Sequence, residues 1–361
     1  MKLLAVDIGA GTEDVLLYDD ENTSVENCVK MVLPSPSRVF ADRVRAATRF
    51  RRSLFLRGDV IGGGAVTSAL RGHLDAGLRV IMTETAAYTV RNDLDEVKDL
   101  GIEVIREDQP PAFDGETLTL EEVNLTLLNQ FLLNFDETLS DVDGVAIAVQ
   151  DHGVFPKGTS NRRFRIQKMR ELLEANPRPE SFVFHGARVP PCFLRMRSAV
   201  QASRRQLPDA DVFVMDTAPA AVLGCVCDPV ARDADPLLAV NVGNGHTMAA
   251  LIEHGRIIGL MEHHTRSLNA GNIAPLLRAF AEGCLTDDAV FSDGGHGLFL
   301  LDEAPSFARI EAIVATGPNR SLLAQTKLPV HFATPAGDVM MTGPLGLVEG
   351  AKRLGSGYPA T

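Results

Sequence analysis

The sequence is poor in cysteine and in positive charge. Its five cysteines, Cys28, Cys192, Cys225, Cys227 and Cys284, are scattered, which argues against a disulfide framework and makes a reducing cytoplasm the expected compartment. Three closely spaced thiolates, as an iron–sulfur cluster of a radical enzyme requires, are also missing; only Cys225 and Cys227 are near neighbours. With 35 Lys and Arg against 47 Asp and Glu, the formal net charge is -12. Neither nucleic acid nor an acidic membrane is then an expected partner, because no electrostatic attraction would draw them in. The first apolar stretch is broken by Asp7, unlike a signal peptide or a membrane span. No full dinucleotide-binding or Walker spacing occurs.

What is present is enough apolar material, 45% of 361 residues, for roughly two or three domains. The organising stretch is Leu3 to Tyr18, LLAVDIGAGTEDVLLY. One apolar run ends in Asp7 and a glycine-rich turn, and a second follows at once, predicting a strand, a tight loop and a returning strand. Gly9, Gly11 and Thr12 can turn backbone N–H groups and a hydroxyl toward an anion, and the Asp7 carboxylate can hold a bridging divalent cation. An ordinary hairpin with two loop glycines would read the same way. The pattern returns, however, at Leu237 to Glu253, LLAVNVGNGHTMAALIE, with Asn241, Gly243, Asn244 and Gly245 in its loop. Such a repeat predicts two halves facing each other across a cleft.

Two hairpins of this kind, in this order, resemble the two phosphate loops of the actin, sugar-kinase and heat-shock-chaperone ATPase superfamily. Asp216 to Gly224, DTAPAAVLG, resembles the helix before the second loop, and Ala312 to Arg320, AIVATGPNR, resembles the turn that packs on adenosine. Gly343 to Ala351, GPLGLVEGA, resembles the final connecting helix. The strings GGGAVTSAL, QDHG, VNVGNGHT, EHHT and DGGHG together resemble an uncharacterised actin-like family labelled a pyruvate formate-lyase activating enzyme. The cysteine spacing speaks against radical activation itself.

The resemblance implies an α/β fold of two ribonuclease-H-like actin-fold halves around a central cleft. Residues 1–207 would form the first half, with an α/β insert at about 53–108, and 208–361 the second. It also implies ATP or ADP, with magnesium on Asp7 and with Gly9, Gly11, Thr12, Asn241, Gly243, Asn244 and Gly245 around the phosphates. Gly317 and Pro318 would lie against adenosine. The first expectation is an ATP-dependent enzyme or phosphotransferase acting on a small molecule. One alternative is a nucleotide-gated activator or chaperone of a metalloenzyme client; another is a metal-dependent enzyme that has lost ATP hydrolysis. Nothing in the sequence signals an oligomeric state.

One departure matters. Where the superfamily usually has Asp-x-Gly-Gly-Gly-Thr, this chain has Asn241 to His246, NVGNGH, so the second loop lacks its acid and its hydroxyl and should hold magnesium less well.

Two further constellations are candidates. The strand Val142 to Val149 runs into Gln150-Asp151-His152-Gly153, which resembles a substrate-lining turn of sugar kinases. Asp151 and His152 are therefore catalytic candidates, with Asp151 either a general base or a structural carboxylate. A hairpin turn at His254-Gly255 places His246 roughly opposite Glu262 and His263. With Asp7 nearby, these three could bind zinc, manganese or iron, which imidazole and carboxylate suit better than magnesium. Adjacent His263 and His264 point to opposite faces of a strand, so at most one of them should share the site with His246. Local patterning predicts a helix over Leu120 to Phe135 and a basic loop over Phe155 to Arg165. Gly62 to Gly64 either present a helix N-terminus to an anion or permit close strand–helix packing.

Overall fold

The first three strands, β1 (Lys2–Ile8), β2 (Thr12–Asp19) and β3 (Val29–Pro34), form an antiparallel meander. They belong to a computed structural model that describes residues 1–109 and 111–355. β1 is apolar throughout because both of its faces are covered. Leu3 and Ala5 enter one core, while Leu4, Val6 and Ile8 enter another.

The chain then builds a separate parallel sheet from β4 (Leu54–Gly58), β5 (Val80–Thr83), β6 (Glu103–Ile105) and β7 (Glu116–Leu120), in the order β6-β5-β4-β7. Its core also takes in Phe40, Ala41 and Val44 from the helix Pro36–Arg49. The insert is thus wider than the expected 53–108, reaching β7. The helix expected from Leu120 starts only at Leu125, where the Asn124 side chain accepts from Leu127 N. Upstream, buried Leu118 and Leu120 alternate with exposed Thr117 and Thr119, and that period of two makes the stretch a strand.

β8 (Gly144–Val149), β9 (Phe184–His185) and β10 (Asp211–Met215) complete the first sheet, ordered β3-β2-β1-β8-β10-β9. β8 runs parallel to β1 and β10 parallel to β8. The first half's sheet therefore extends past residue 207. Between β8 and β9 the helix Asn161–Ala175 begins five residues before the expected Ile166, so Arg162, Arg163 and Arg165 lie on a helix and not in a loop.

The second half repeats the plan. β11 (Leu237–Val242), β12 (His246–Glu253) and β13 (Arg256–His264) form the meander, with β14 (Gly297–Leu300) beyond it. β15 (Ala312–Thr316) and β16 (Val330–Phe332) add in parallel on the other side of β11. Counting from each central hairpin, both sheets share the order 3-2-1-4-5 of a ribonuclease-H-like unit. The protein is α/β, two such units with an α/β insert in the first.

Between the sheets lie the helices Thr217–Val226 and Thr342–Gly355, whose residues join the core shared by both halves. They cross closely because the contact is made by small residues. A Cβ on Gly224 would stand 1.8 Å from Thr342 O, so only glycine fits there. Among the described residues no helix is long and apolar enough to cross a membrane.

Candidate functional site

The two hairpin tips have matching geometry. Gly9 N donates to Thr12 O at 2.9 Å, and Gly243 N donates to His246 O at 3.0 Å. The tips meet across the halves, since a Cβ on Gly11 would lie 2.5 Å from Asn244 Nδ2. A third turn closes on them. Asn319 donates through its backbone N to Val242 O and through Nδ2 to Gly243 O, each at 3.0 Å. Gly317 has φ +96 and would drive a Cβ to 2.4 Å from Val242 O, so this position requires glycine. Gly9, Thr12, Asn241, Gly243, Asn244, Gly245, Gly317 and Pro318 all line one cleft of about 1820 Å³. Gly62 to Gly64 line it too, from the insert.

Asp7 stands at the end of β1, directly paired with Asp14 on β2. Both carboxylates are buried, and each leaves an Oδ1 without a hydrogen-bond partner. Burial, then the neighbouring Asp14, pushes the Asp7 carboxyl well above its ordinary range, and burial pushes Asp14 up to about 7. Two orphaned carboxylate oxygens fit a divalent cation, which would restore their charged form. Asn241 occupies the matching place on β11, so the acid pair belongs to the first half alone.

Asp151 lines the cleft, but its oxygens are taken by backbone donors. Oδ2 accepts from Arg195 N at 2.8 Å and Met196 N at 3.1 Å, and Oδ1 from Gly153 N at 2.8 Å. This is a carboxylate that starts the helix Leu194–Gln206, and of its two readings the geometry matches the structural one. Arg195 also reaches Glu122 at 2.6 Å.

Beside the second loop stands a group of histidines. His152, His246 and His296 present ring nitrogens that all lie within 4.8 Å of one another. His264 is next to them, its Nε2 3.4 Å from His296 Nε2. Burial, then Arg165, lowers His152 well below the usual imidazole range, and burial lowers His246 to about 3, so both are neutral near pH 7 and able to act as ligands. Gln150 Nε2 lies 2.7 Å from His246 Nδ1, and Glu262 Oε2 lies 2.8 Å from His296 Nδ1.

The register corrects the expected partner of His246. β12 and β13 shift by one residue between Leu251 and Ile252, so His246 pairs with His264 and His263 pairs with Thr247. Alternation then turns His263 to the opposite face, where it is buried with Nε2 3.3 Å from Asp293. Glu262 is not an open ligand either. It is buried and salt-bridged to Arg165; burial opposes its charge, but Arg165 and His296 together outweigh that cost and keep its carboxyl well below the usual range.

His296 and Arg165 went unassigned in the sequence. His296 did carry a signal, a histidine in the glycine-flanked string DGGHG; Arg165 carried none beyond its place in a basic segment.

Two ribonuclease-H-like halves around a cleft, with phosphate-type hairpins facing each other, define the fold of the actin-like ATPases. The sequence profile of the family described as "Putative pyruvate format-lyase activating enzyme (DUF1786)" matches residues 61–322, and the chain belongs to that family. A search of curated proteins finds no match. Among solved structures, "Lmo2764 protein, a putative N-acetylmannosamine kinase, from Listeria monocytogenes" is 11% identical with a TM-score of 0.37, covering 98% of this chain and 100% of its own. The PilM-PilN type IV pilus biogenesis complex is 12% identical at 0.41, covering 97% and 98%. The ROK hexokinase from Thermus thermophilus is 12% identical at 0.33, covering 99% and 100%. The strand order, and not these distant likenesses, carries the fold.

Proposed function

We propose that the protein is a nucleotide-dependent phosphotransferase or ATPase acting on a small molecule bound in the cleft. The observation that supports this most is the convergence of three backbone turns, Gly9–Thr12, Gly243–His246 and Thr316–Asn319, on one surface of that cleft. Backbone N–H groups of the two hairpin tips and Asn244 Nδ2 are the donors for phosphate oxygens. Asp7 and Asp14 are the residues that would hold magnesium, which when bound would offset phosphate charge. Gly317, with no side chain, and the compact ring of Pro318 offer a surface for adenosine. A Cβ on Gly11 would lie 2.5 Å from Asn244 Nδ2, so glycine is needed there for the two loops to approach this closely.

The test is thermal unfolding and calorimetry with millimolar ATP or ADP, with and without magnesium. A ligand at one hundred times its Kd stabilises by about 2.7 kcal/mol. Stabilisation that grows with magnesium in the wild type, and loses its magnesium-dependent part in Asp7→Ala, is the expected result. No shift and no heat under any condition would remove nucleotide binding from the reading. Where nucleotide does bind, a screen for small molecules that accelerate its consumption identifies the acceptor.

A further inference from the structure

The histidine group is arranged in a way that nucleotide binding does not explain. Its three members come from three separate elements: His152 from the loop after β8, His246 from the first position of β12, and His296 from the turn into β14. Two of them belong to the second half and one to the first. Packing imidazoles together in a buried place has a cost unless their nitrogens are paired. At His246 one ring nitrogen is held and the other is not. His246 Nδ1 is met by Gln150 Nε2 at 2.7 Å, while its Nε2 is buried with no hydrogen-bond partner. His296 Nδ1 lies 2.8 Å from Glu262 Oε2, and its Nε2 lies 3.4 Å from His264 Nε2, on the side of the group. Rotating the Gln150 amide by half a turn would place its oxygen against His246 Nδ1–H, leaving the Nε2 lone pair free.

A ring nitrogen oriented from behind by a carboxylate or amide, with the other nitrogen turned inward, is the outer shell that metal-binding histidines use. The support for that shell is rigid. Glu262 is fixed by Arg165, and Arg162 Nη1 donates to Gly295 O at 2.5 Å, holding the turn that carries His296. The spacing is somewhat open for a metal. Nitrogens about 2.0–2.1 Å from zinc lie about 3.4 Å apart, and those of the three rings, which lie no more than 4.8 Å from one another, need at most a small inward rotation. The pair His264 and His296 is already at 3.4 Å.

We propose that His152, His246 and His296 bind one first-row transition ion, zinc or ferrous iron, with its remaining coordination directed into the cleft. Three imidazoles with no thiolate select such an ion over magnesium or calcium. His152 and His246 line the cleft while His296 is fully buried behind them, so the exchangeable position faces the space where a small molecule would enter. Water or an anionic oxygen of that molecule would occupy it. His264 stands beside the ion as a replacement ligand or a hydrogen-bond partner. This site does not depend on the nucleotide reading, though it shares His246 with the second loop.

The experiment strips the full-length protein with a chelator and reconstitutes it with zinc, with ferrous iron under anaerobic conditions, and with cobalt as a spectroscopic probe. Bound metal is counted by elemental analysis after gel filtration, and the visible bands of the cobalt form report coordination. The expected result is one equivalent per chain in the wild type, with His152→Ala and His296→Ala each losing the cobalt bands and the bound metal. Gln150→Ala, which removes an orienting group only, should weaken binding by about 10–100-fold. His263→Ala and the exposed His254→Ala should keep the full equivalent. Thermal melts of the metal-free variants separate loss of ligand from loss of fold, and His152→Gln serves if the alanine variant unfolds. Substoichiometric metal in the wild type, or unchanged binding in folded variants of both His152 and His296, would overturn the assignment.

Discussion

Arg165 and Glu262 form a buried ion pair between the two halves, with Arg165 Nε 2.8 Å and Nη2 2.9 Å from the carboxylate oxygens. The remaining N–H groups of Arg165 go to Asp216, at 2.6 and 2.8 Å, and to Asp151 O at 3.0 Å. All five guanidinium donors are thus used. Asp216 caps the central helix Thr217–Val226, and Glu262 stands behind His296, so one side chain ties the helix, the second sheet and the histidine group together.

Removing Arg165 should therefore be costly. Arg165→Ala leaves two buried carboxylates without their cation, and we expect a loss of about 3–5 kcal/mol in urea unfolding. Arg165→Lys keeps the charge but not the fork, so its loss should be smaller yet clear. Equal stability of wild type and Arg165→Ala would mean that the pair does not bind the halves together.

The start of the last helix is equally constrained. A Cβ on Gly343 would come 2.0 Å from Asp7 Oδ2, so Gly343→Ala must displace either the helix or the carboxylate. We expect a loss of about 1–3 kcal/mol from overpacking, together with loss of the magnesium-dependent part of nucleotide stabilisation. Gly72→Ala is the comparison, because its Cβ meets nothing within 4 Å inside the helix Gly63–Asp75. It should stabilise by about 0.5–1 kcal/mol. The two alanines differ in sign, which thermal melts read directly.

The fold was legible because its signal is local and repeated. Each hairpin is a contiguous apolar–glycine–apolar stretch, and the repeat alone implies two facing halves. The small residues of the central helices, Gly224 among them, were visible as strings for the same reason. The candidate site was legible where a residue stands within such a stretch, as Asp7, Gly243 and His246 do, or in a turn that ends an apolar strand, as His152 and Gly317 do. His296 and Arg165 reach the site from elements far away in sequence, and no periodicity in their own segments indicates where those elements pack. The pairing of His246 with His264 depended on one irregularity near Leu251, which moves the register by a residue and exchanges the faces of His263 and His264. Counting back from the turn at His254 cannot detect such a shift.

The cysteines bear on the family's description as an activating enzyme. None of the five is in a disulfide. Burial raises the Cys225 thiol far above its ordinary range and the Cys227 thiol to about 12, so both are protonated thiols near pH 7 in the metal-free protein. Anaerobically purified protein should show no iron–sulfur absorption and no acid-labile sulfide. Iron without sulfide would agree with the histidine site, whereas stoichiometric iron with sulfide would establish a cluster and reverse this reading.

The acid pair gives a pH dependence with a definite sign. Asp14 is raised from 3.8 to about 7 in the folded protein, chiefly by burial. Between those values the folded state holds a proton that the unfolded chain has released, so this group's contribution is present at low pH and is lost as pH rises through 7. Glu13, raised to about 7 by burial and by Glu122 and Asp14, acts in the same direction. Asp14→Asn stays neutral and escapes the loss. Its stability relative to wild type should therefore grow between pH 4 and pH 8, by about 2–4 kcal/mol, since each tenfold change in proton affinity on folding is worth about 1.4 kcal/mol. His246, lowered to about 3, works in the opposite direction below pH 6.5 but is common to both proteins and cancels in the difference. Magnesium should narrow the gap, because a cation held by Asp7 and Asp14 favours the charged carboxylates in the wild type only. Denaturant unfolding of both proteins across this range, with and without magnesium, is the measurement. Curves that stay parallel would show that Asp14 ionises freely and that the acid pair is not poised for a cation.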